Sequence, residues 1–305
     1  MTQWRMPECM EKKIEEVHQR MLRCIPSEGR LAQIAKEVTV RRGKMLRPAL
    51  LLAVAGADAE EEDTLAVGAA IEYLHMASLI HDDIIDGATQ RRSAPSVVAR
   101  HGLAMALYCG DYLICLALRC LSEVDRSLVP EKPWDFMTPL LEAEAEQLSS
   151  RFFQNITKEH YLERIEAKTG ALFALACAAG GTLRRATPKV LRDLRKGGLA
   201  FGIAFQLRDD VLDLLQNPGE DLQSGTYTLP VFLALEEDPR LKDRLSSASP
   251  EEVSSAIQKT RAIERTKGIM QEQWALALKY LRPHLAPENA VFLADLIAFL
   301  EDTCT

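Results

Sequence analysis

The sequence predicts an all-α protein, and three observations lead to that prediction. Apolar residues recur at helical spacing over long stretches of the chain. Alternating runs of β-branched residues between turn signals are nearly absent, so no sheet is expected. Gly and Pro cluster at a few short breaks, none of which is long or polar enough to be an interdomain linker. A single domain over residues 1–305 is therefore predicted.

The predicted helices follow one another along the whole chain. Pro7 can open the first helix, whose apolar face runs from Met10 to Ile25 at helical spacing. Breaks are expected at Pro26–Gly29, Pro130–Pro133 and Asn217–Gly219. The later apolar segments predict helices at about Leu65–Ile85, Leu103–Leu121, Phe136–Leu148, Tyr161–Leu183, Val190–Leu215, Val253–Leu281 and Ala290–Leu300.

The composition excludes several classes of protein. The chain has 37 Lys and Arg residues against 44 Asp and Glu residues, a net charge of −7, and it is 47% hydrophobic. These values exclude collagen-like and largely disordered proteins, and they argue against a nucleic-acid partner. The longest uncharged, mostly apolar run, Gly170–Gly181, is shorter than the ~20 residues that span a bilayer, so no transmembrane segment is expected. The seven cysteines form no C-x-x-C pair and predict scattered core thiols in the cytoplasm.

The first acidic cluster closes the helix predicted at Leu65–Ile85. Asp82 and Asp86 are four residues apart and share a helix face, while Asp83 lies about 100° around the helix. Gly87 is the expected C-cap. Negative charge at a helix C-terminus is disfavoured by ~0.3–1 kcal/mol per group, and the three carboxylates also repel one another. A divalent cation would offset this charge, and oxygen ligands suit Mg²⁺.

The same pattern occurs again at the end of the helix predicted at Val190–Leu215. Asp209, Asp210 and Asp213 repeat the i, i+1, i+4 spacing. One such cluster alone is more often a solvated acidic helix end, but two copies that each close a long apolar helix favour a metal site. Mg²⁺ binds through one or two carboxylates together with substrate phosphates. Two facing aspartate triads therefore predict a cradle for a diphosphate bridged by several Mg²⁺ ions.

Basic residues near the triads are candidate phosphate ligands. They are Lys44 with Arg47, Arg91 with Arg92, and Lys168. Lys44 and Arg47 are three residues apart and would share a face of any helix that starts there. Each basic residue alone is more often a solvated charge, although arginine grips phosphate in bidentate fashion and lysine acts as a point charge. His75 is either a further ligand or a histidine satisfied within the core.

These motifs together resemble the trans-isoprenyl diphosphate synthases, the polyprenyl synthetase family. The resemblance covers most of the chain, and the motifs stand in the family's order and approximate spacing. They are Arg42–Pro48, Glu72–His75, His81–Asp86, Arg91–Arg92, Gly110–Leu113, Lys168–Gly170, Phe205–Gln206 with the second triad, and Thr228–Pro230. The resemblance implies an all-α bundle around a deep central cavity, usually as a homodimer.

The reaction implied by the resemblance is head-to-tail elongation of an allylic diphosphate by isopentenyl diphosphate, in which Mg²⁺ withdraws charge from the leaving group. The implied metal ligands are Asp82, Asp86 and Asp209, with Asp83, Asp210 and Asp213 assisting. The residues that match the isopentenyl diphosphate site are Lys44, Arg47, His75 and Arg92, and those that match the allylic diphosphate site are Arg91 and Lys168. Thr169 and Gln206 match positions that stabilise the developing cation.

The sequence departs from the family pattern at three places. Ser93 replaces the usual Gly after the paired arginines, and Thr226 stands where a Lys is frequent. Only seven residues, Leu214 to Glu220, separate the second triad from Asp221, whereas the family commonly has a longer loop that carries a Gly-Lys pair. Weaker primer binding, a different primer and a partner subunit remain open as consequences.

Product length is predicted from side-chain size on the helix of the first triad. Ala77 and Ser78 would line the chain-length pocket about one turn deeper than Asp82, and both are small. Bulky aromatic residues there would stop chain growth early. A product longer than fifteen carbons is therefore favoured, although Tyr73, Met76 or the Leu103–Leu121 helix could still block the cavity.

Three alternatives compete with this interpretation. A class I terpene cyclase normally has an Asn/Ser/Glu pattern as its second metal site, where this chain has a second aspartate triad. A weakly active or regulatory subunit of a heteromeric synthase is favoured by the short loop and disfavoured by the intact triads. A di-iron helical protein would need pairs of Glu-x-x-His motifs facing inward, which the chain lacks.

Overall fold

The computed structural model describes residues 6–91, 94–128, 138–139, 141–143, 145, 157–216, 222 and 227–303. These residues are mainly helical, which confirms the predicted all-α class. The chain divides into two compact units. The first comprises Met1–Glu131, Ala176–Arg192 and Leu285–Phe292, and the second comprises Lys132–Leu175, Asp193–His284 and Leu293–Thr305. A single domain over residues 1–305 stays a prediction.

The first unit is organised around one long helix. Its elements up to residue 122 are α1 (Glu8–Cys24), α2 (Arg30–Val40), α3 (Leu46–Ala55), α4 (Glu61–Ile85), β1 (Gln90–Arg91), β2 (Ala94–Pro95), α5 (Val97–His101) and α6 (Leu103–Ser122). Residues Thr64–Tyr73 of α4 are buried on every face, because α6, α1 and α3 all pack against this helix. The two strands pair in antiparallel register, with Arg91 opposite Ala94.

The second unit contains all or part of each described element that follows along the chain, and residues 176–192 and 285–292 of these elements belong to the first unit. The elements are α7 (Lys158–Ile165), a π-helical segment (Glu166–Gly170), α8 (Ala171–Leu183), α9 (Pro188–Gln216), α10 (Leu229–Glu237), α11 (Leu241–Ser247), α12 (Pro250–Ile257), α13 (Ala262–Leu281), a 3₁₀ turn (Arg282–His284) and α14 (Pro287–Asp302). Phe173, Phe201 and Trp274 form the aromatic centre of this unit. Their ring centroids are 5.1 Å and 4.9 Å apart, and all three rings are fully buried.

Most of the predicted helices are confirmed, the one predicted at Tyr161–Leu183 is interrupted by the π-helical segment, and one is divided. Helices α1, α4, α6, α9 and α14 closely match their predicted ranges. The predicted helix Val253–Leu281 is instead two helices, because Thr260 interrupts it. The Thr260 hydroxyl donates to the Ile257 carbonyl at 2.7 Å and accepts from the Ala262 N–H at 3.1 Å, so it bonds to the last residue of α12 and to the first residue of α13. The predicted helix Phe136–Leu148 falls largely outside the described residues.

Several short elements were not predicted from the sequence. Helices α2, α3, α5, α10 and α11 were missed, and α3 shows why: nine of its ten residues are buried, so it has no polar face to reveal its period. The prediction of no sheet is wrong for the β1–β2 hairpin, whose two-residue strands are too short to produce an alternating pattern.

Helix α6 is long and apolar enough to cross a membrane when judged by length and composition alone. Core helices of folded domains share this property. In the first unit α6 packs along α4, and Ala106, Cys109, Leu113 and Leu116 are buried on its inner face.

Candidate active site

The first aspartate triad lies at the C-terminal end of α4, as the sequence predicted. Its middle carboxylate, Asp83, is 2% exposed and accepts a hydrogen bond from Arg91 Nε at 2.6 Å. Burial raises the pKa of Asp83, and the Arg91 guanidinium opposes that rise. Asp82 is half-buried and Asp86 is exposed, so the two outer carboxylates are accessible to solvent. Gly87 follows with φ 64° and ends the helix, as predicted.

The β1–β2 hairpin brings Arg91 back to the helix that carries the triad. Ser96 anchors the returning chain, because its hydroxyl donates to the Ala88 carbonyl at 2.6 Å and accepts from the Ala99 N–H at 3.1 Å. The second of these bonds also caps α5. The position of Arg91 therefore depends on the turn after α4.

A pocket of about 360 Å³ lies beside the first triad. His75, Asp83 and Arg91 line it, so three of the predicted site residues surround one space. Met76 and Leu79 of α4 add an apolar wall. The pocket therefore combines charged groups at one helix end with an apolar surface, as a ligand with a charged head and a hydrocarbon tail requires.

The structure corrects the expected arrangement of Lys44 and Arg47. Helix α3 begins at Leu46, so Lys44 precedes the helix and does not share a helix face with Arg47. Met45 lies between them at φ 49° and ψ 43°, a left-handed conformation that is uncommon for a residue with a Cβ atom. Lys44 is exposed, Arg47 is half-buried, and the adjacent Gly43 lines the pocket. The turn at Met45, rather than a helix face, sets the direction of Lys44.

The second triad lies on α9 and resembles the first, because its middle aspartate is buried and its outer two are more exposed. Its middle carboxylate, Asp210, is 4% exposed and accepts hydrogen bonds from the Tyr161 hydroxyl and from Gln206 Nε2, the latter at 3.0 Å. Burial and the neighbouring Asp210 raise the pKa of Tyr161 well above its ordinary value, so the phenol keeps its proton and donates it. Asp209 is half-buried and Asp213 is exposed.

Thr169 and Gln206 are hydrogen-bonded to each other. The Thr169 hydroxyl donates to Gln206 Oε1 at 2.7 Å, and the Gln206 amide donates onward to Asp210. Because the hydroxyl proton points at Gln206, the oxygen of Thr169 presents only lone pairs to its other neighbours. An oxygen fixed in this orientation would stabilise positive charge.

The hydrogen bond between Thr169 and Gln206 requires close contact between the π-helical segment and α9. A Cβ atom on Gly202 would lie 2.6 Å from the Cα atom of Gly170 and 3.1 Å from the Thr169 carbonyl oxygen. Only a residue without a side chain therefore fits at this crossing. The π-helical segment holds both Lys168, which is half-buried, and Thr169, which is 7% exposed. Single π-helical turns within α-helices occur frequently at functional sites.

Sequence reasoning missed Tyr161 and Arg208. Arg208 Nη1 donates to Asp209 at 2.7 Å and Arg208 Nε donates to the Leu300 carbonyl at 3.0 Å, so it links the triad to α14. The sequence contains one indication of Arg208, since this basic residue directly precedes the acidic pair Asp209 and Asp210. Tyr161 has no such signal, because its contact with Asp210 arises only when α7 packs beside α9.

Several of the predicted site features lie outside the residues that the structure describes. Arg92, Ser93, Thr226 and the later part of the loop Leu214–Glu220 fall outside the described residues. Ala77 is 2% exposed and Ser78 is half-buried, and their role in chain length stays a prediction. Within the described ranges, no three His, Cys, Asp or Glu side chains are grouped closely enough to hold a metal ion by themselves.

Comparison with known proteins identifies the family. Residues 28–265 match the polyprenyl synthetase family. The chain is 32% identical over 300 residues to heptaprenyl diphosphate synthase component 2 of Geobacillus stearothermophilus, covering 93% of each chain. It is similar to the crystal structure of heptaprenyl diphosphate synthase from Staphylococcus aureus, with a TM-score of 0.88, 26% identity, and coverage of 97% of this chain and 99% of that chain. It is also similar to geranylgeranyl pyrophosphate synthase from Lactobacillus brevis, with a TM-score of 0.86, 29% identity and 97% coverage of each chain.

The predicted motifs and these similarities agree on one family and one type of chemistry. The match to the family spans both triads, the basic residues Lys44 to Arg92 and the Lys168–Gly170 segment. The chain belongs to the polyprenyl synthetase family and is a trans-prenyltransferase.

Proposed function

We propose that this trans-prenyltransferase condenses isopentenyl diphosphate head-to-tail with an allylic diphosphate in a Mg²⁺-dependent reaction. The observation that carries the proposal is the common design of the two triads. In each, the middle aspartate is buried and hydrogen-bonded within the protein, while the outer two are accessible and four residues apart. Accessible carboxylates on one helix face are the donor set that Mg²⁺ uses when substrate phosphates complete its coordination.

The outer carboxylates Asp82, Asp86, Asp209 and Asp213 would hold the metal ions. Mg²⁺ bound there would act as a Lewis acid toward the diphosphate leaving group. The buried carboxylates have a different task. Asp83, held by Arg91, and Asp210, held by Tyr161 and Gln206, keep the two helix ends in place. Their fixed positions keep the orientation of the outer pairs constant.

The basic residues would bind the two diphosphates. Lys44, Arg47, His75 and Arg92 are proposed for isopentenyl diphosphate, and Arg91 and Lys168 for the allylic diphosphate. The pocket beside the first triad supports this assignment, because His75 and Arg91 line it. The half-exposed guanidinium of Arg91 is held by Asp83 and is therefore oriented before a substrate arrives.

Thr169 and Gln206 would stabilise the positive charge that develops on the allylic group. The support is their hydrogen bond, which fixes the Thr169 oxygen with its lone pairs outward. A dipole that is already oriented requires no reorganisation during the reaction.

A product longer than fifteen carbons is the proposed outcome. Ala77 and Ser78 support it, because neither side chain is large enough to end a cavity. The similar heptaprenyl diphosphate synthases are consistent with this length by name. The Ser78 hydroxyl donates to the His75 carbonyl at 2.8 Å, so its proton is satisfied within the helix.

The proposal is tested by incubating purified protein with Mg²⁺, labelled isopentenyl diphosphate and each allylic primer in turn, and sizing the products by chromatography. We expect elongated products that disappear when Mg²⁺ is chelated. Asp82→Asn should abolish turnover, while Asp63→Asn, the same substitution in the first turn of the same helix, should not. Equal activity of the two variants, or turnover after chelation, would contradict the metal assignment.

A homodimer in the cytoplasm is the proposed form of the enzyme, and a heteromer is the second candidate. Leu103, Leu107, Tyr108 and Leu118 of α6 are 46–61% exposed, which supports a protein contact on this helix. The heteromer is favoured by the similarity to a protein named as component 2 of a synthase. Light scattering should give twice the chain mass, with Leu107→Glu reducing it. A single-chain mass and no product with any primer would favour the heteromer instead.

A further inference from the structure

Two buried cysteines lie in contact in the first unit. Cys24 is the last residue of α1 and Cys120 lies near the end of α6, and their sulfur atoms are 2.9 Å apart. Cys24 is 4% exposed and Cys120 is fully buried. A disulfide needs sulfur atoms ~2.05 Å apart, so a movement of less than ~1 Å would join them. Cys9 and Cys115 are exposed, contrary to the prediction that the cysteines are core thiols, while Cys304 is outside the described residues.

The surroundings of the pair favour ionisation of one sulfur. The hydrogen bond with Cys120 and the nearby Arg20 guanidinium lower the pKa of Cys24, while desolvation opposes them. The same hydrogen bond and burial raise the pKa of Cys120. Arg119 adds a second cation and donates to the Cys24 carbonyl at 3.2 Å. Thiolate character is therefore concentrated on Cys24.

Other buried thiols in the described chain have different surroundings. Burial raises the pKa of both Cys109 and Cys177 to about 12. Neither is hydrogen-bonded to a second cysteine in the described residues. These two thiols provide an internal comparison for the reactivity of the pair.

We propose that Cys24 and Cys120 form a reversible redox site, in which a peroxide converts the two thiols into an intrachain disulfide. The Cys24 thiolate attacks one peroxide oxygen, the O–O bond breaks, and the departing hydroxide takes a proton to become water. The Cys120 sulfur then attacks the sulfenic sulfur of Cys24, displacing hydroxide, which takes the Cys120 proton. Two thiols and one hydrogen peroxide thus give one disulfide and two waters, with the peroxide reduced by the two electrons that the sulfurs lose.

The position of the Cys24–Cys120 pair determines both how an oxidant would reach it and which helices the disulfide would join. The exposed turn Pro26–Gly29 begins two residues after Cys24, so fraying of the end of α1 would admit a small oxidant. The disulfide would join the ends of α1 and α6. Tyr73 of α4 already donates to the Met21 carbonyl at 2.6 Å, one turn before Cys24. The crosslink would therefore fix three helices where they meet.

The test uses the full-length protein and hydrogen peroxide as the oxidant. After oxidation, remaining thiols are trapped with a maleimide under denaturing conditions, and peptides are mapped by mass spectrometry without reduction. We expect a peptide that links Cys24 to Cys120, while Cys109 and Cys177 stay fully labelled. The link should raise the midpoint of thermal unfolding, because it restricts the unfolded chain, and dithiothreitol should reverse the shift.

Matched serine variants separate this site from other thiol chemistry. Cys120→Ser should abolish both the linked peptide and the oxidation-dependent thermal shift. A Cys9→Ser variant should retain both, since it removes only an exposed thiol. The proposal is overturned if Cys24 and Cys120 remain fully labelled at peroxide concentrations that oxidise Cys9. It is equally overturned if Cys24 becomes a sulfinic acid without any linked peptide.

Discussion

Replacing Tyr161 with phenylalanine removes one hydroxyl from the buried network of the second triad. Tyr161 is 1% exposed and its hydroxyl donates to Asp210, which is 4% exposed. The phenylalanine ring retains the packing of the tyrosine ring on Phe232, whose centroid is 6.0 Å away. The substitution therefore isolates the hydrogen bond from the packing of the ring. Gln206 continues to donate to the other Asp210 oxygen.

The expected cost follows from the charge of the acceptor. A hydrogen bond to a charged group contributes about 1.5–3 kcal/mol, so we expect Tyr161→Phe to lower the free energy of unfolding by about 2 kcal/mol. Urea denaturation measures this value. Tyr280→Phe is the control, since the half-buried Tyr280 lies outside the triad network and the new ring keeps the contacts with Lys196 and Lys279. A surface change of this kind usually stays within about 0.5 kcal/mol.

A double-mutant cycle with Asp210→Asn tests the reason for the loss. In the Asp210→Asn background the acceptor is neutral, so Tyr161→Phe should cost only about 0.5–1.5 kcal/mol. The coupling free energy between the two positions should then be about 1 kcal/mol. The reasoning is refuted if Tyr161→Phe is as stable as Tyr280→Phe, or if its cost is the same in both backgrounds.

Three further predictions concern the remaining site elements. Gly110→Ala would place a Cβ atom 2.3 Å from the His81 ring, beside the first triad, and should lower the stability measured in urea by about 1–3 kcal/mol together with turnover. Gly268→Ala, where nothing lies within 4 Å of the new atom, should instead raise stability by about 0.5–1 kcal/mol, and equal effects would refute the steric argument. Asp209→Asn should abolish turnover without lowering the melting temperature, because it removes repulsion at a helix end, whereas a large loss of stability would show a structural role. Ser78→Phe should shorten the product in the chromatographic assay, and an unchanged length would refute the pocket assignment.

The sequence by itself determined the features that repeat along a helix. Periodic apolar residues located α4 and α9, and the i, i+1, i+4 aspartates at their ends indicated two oxygen-rich sites before any coordinates were considered. The spacing of the remaining motifs then indicated the family. These signals are local, because residues one helical turn apart share a face whatever the rest of the chain does.

Only the tertiary structure decided which member of each triad is buried. The three carboxylates of a triad are the same residue type, but the middle one is buried and bonded to Arg91 or Tyr161, while the outer two are accessible. The pairing of Cys24 with Cys120, 96 residues apart, likewise requires α1 and α6 to pack together. Such contacts join distant parts of the chain, so their partners are set by helix packing and leave no periodic trace in the sequence.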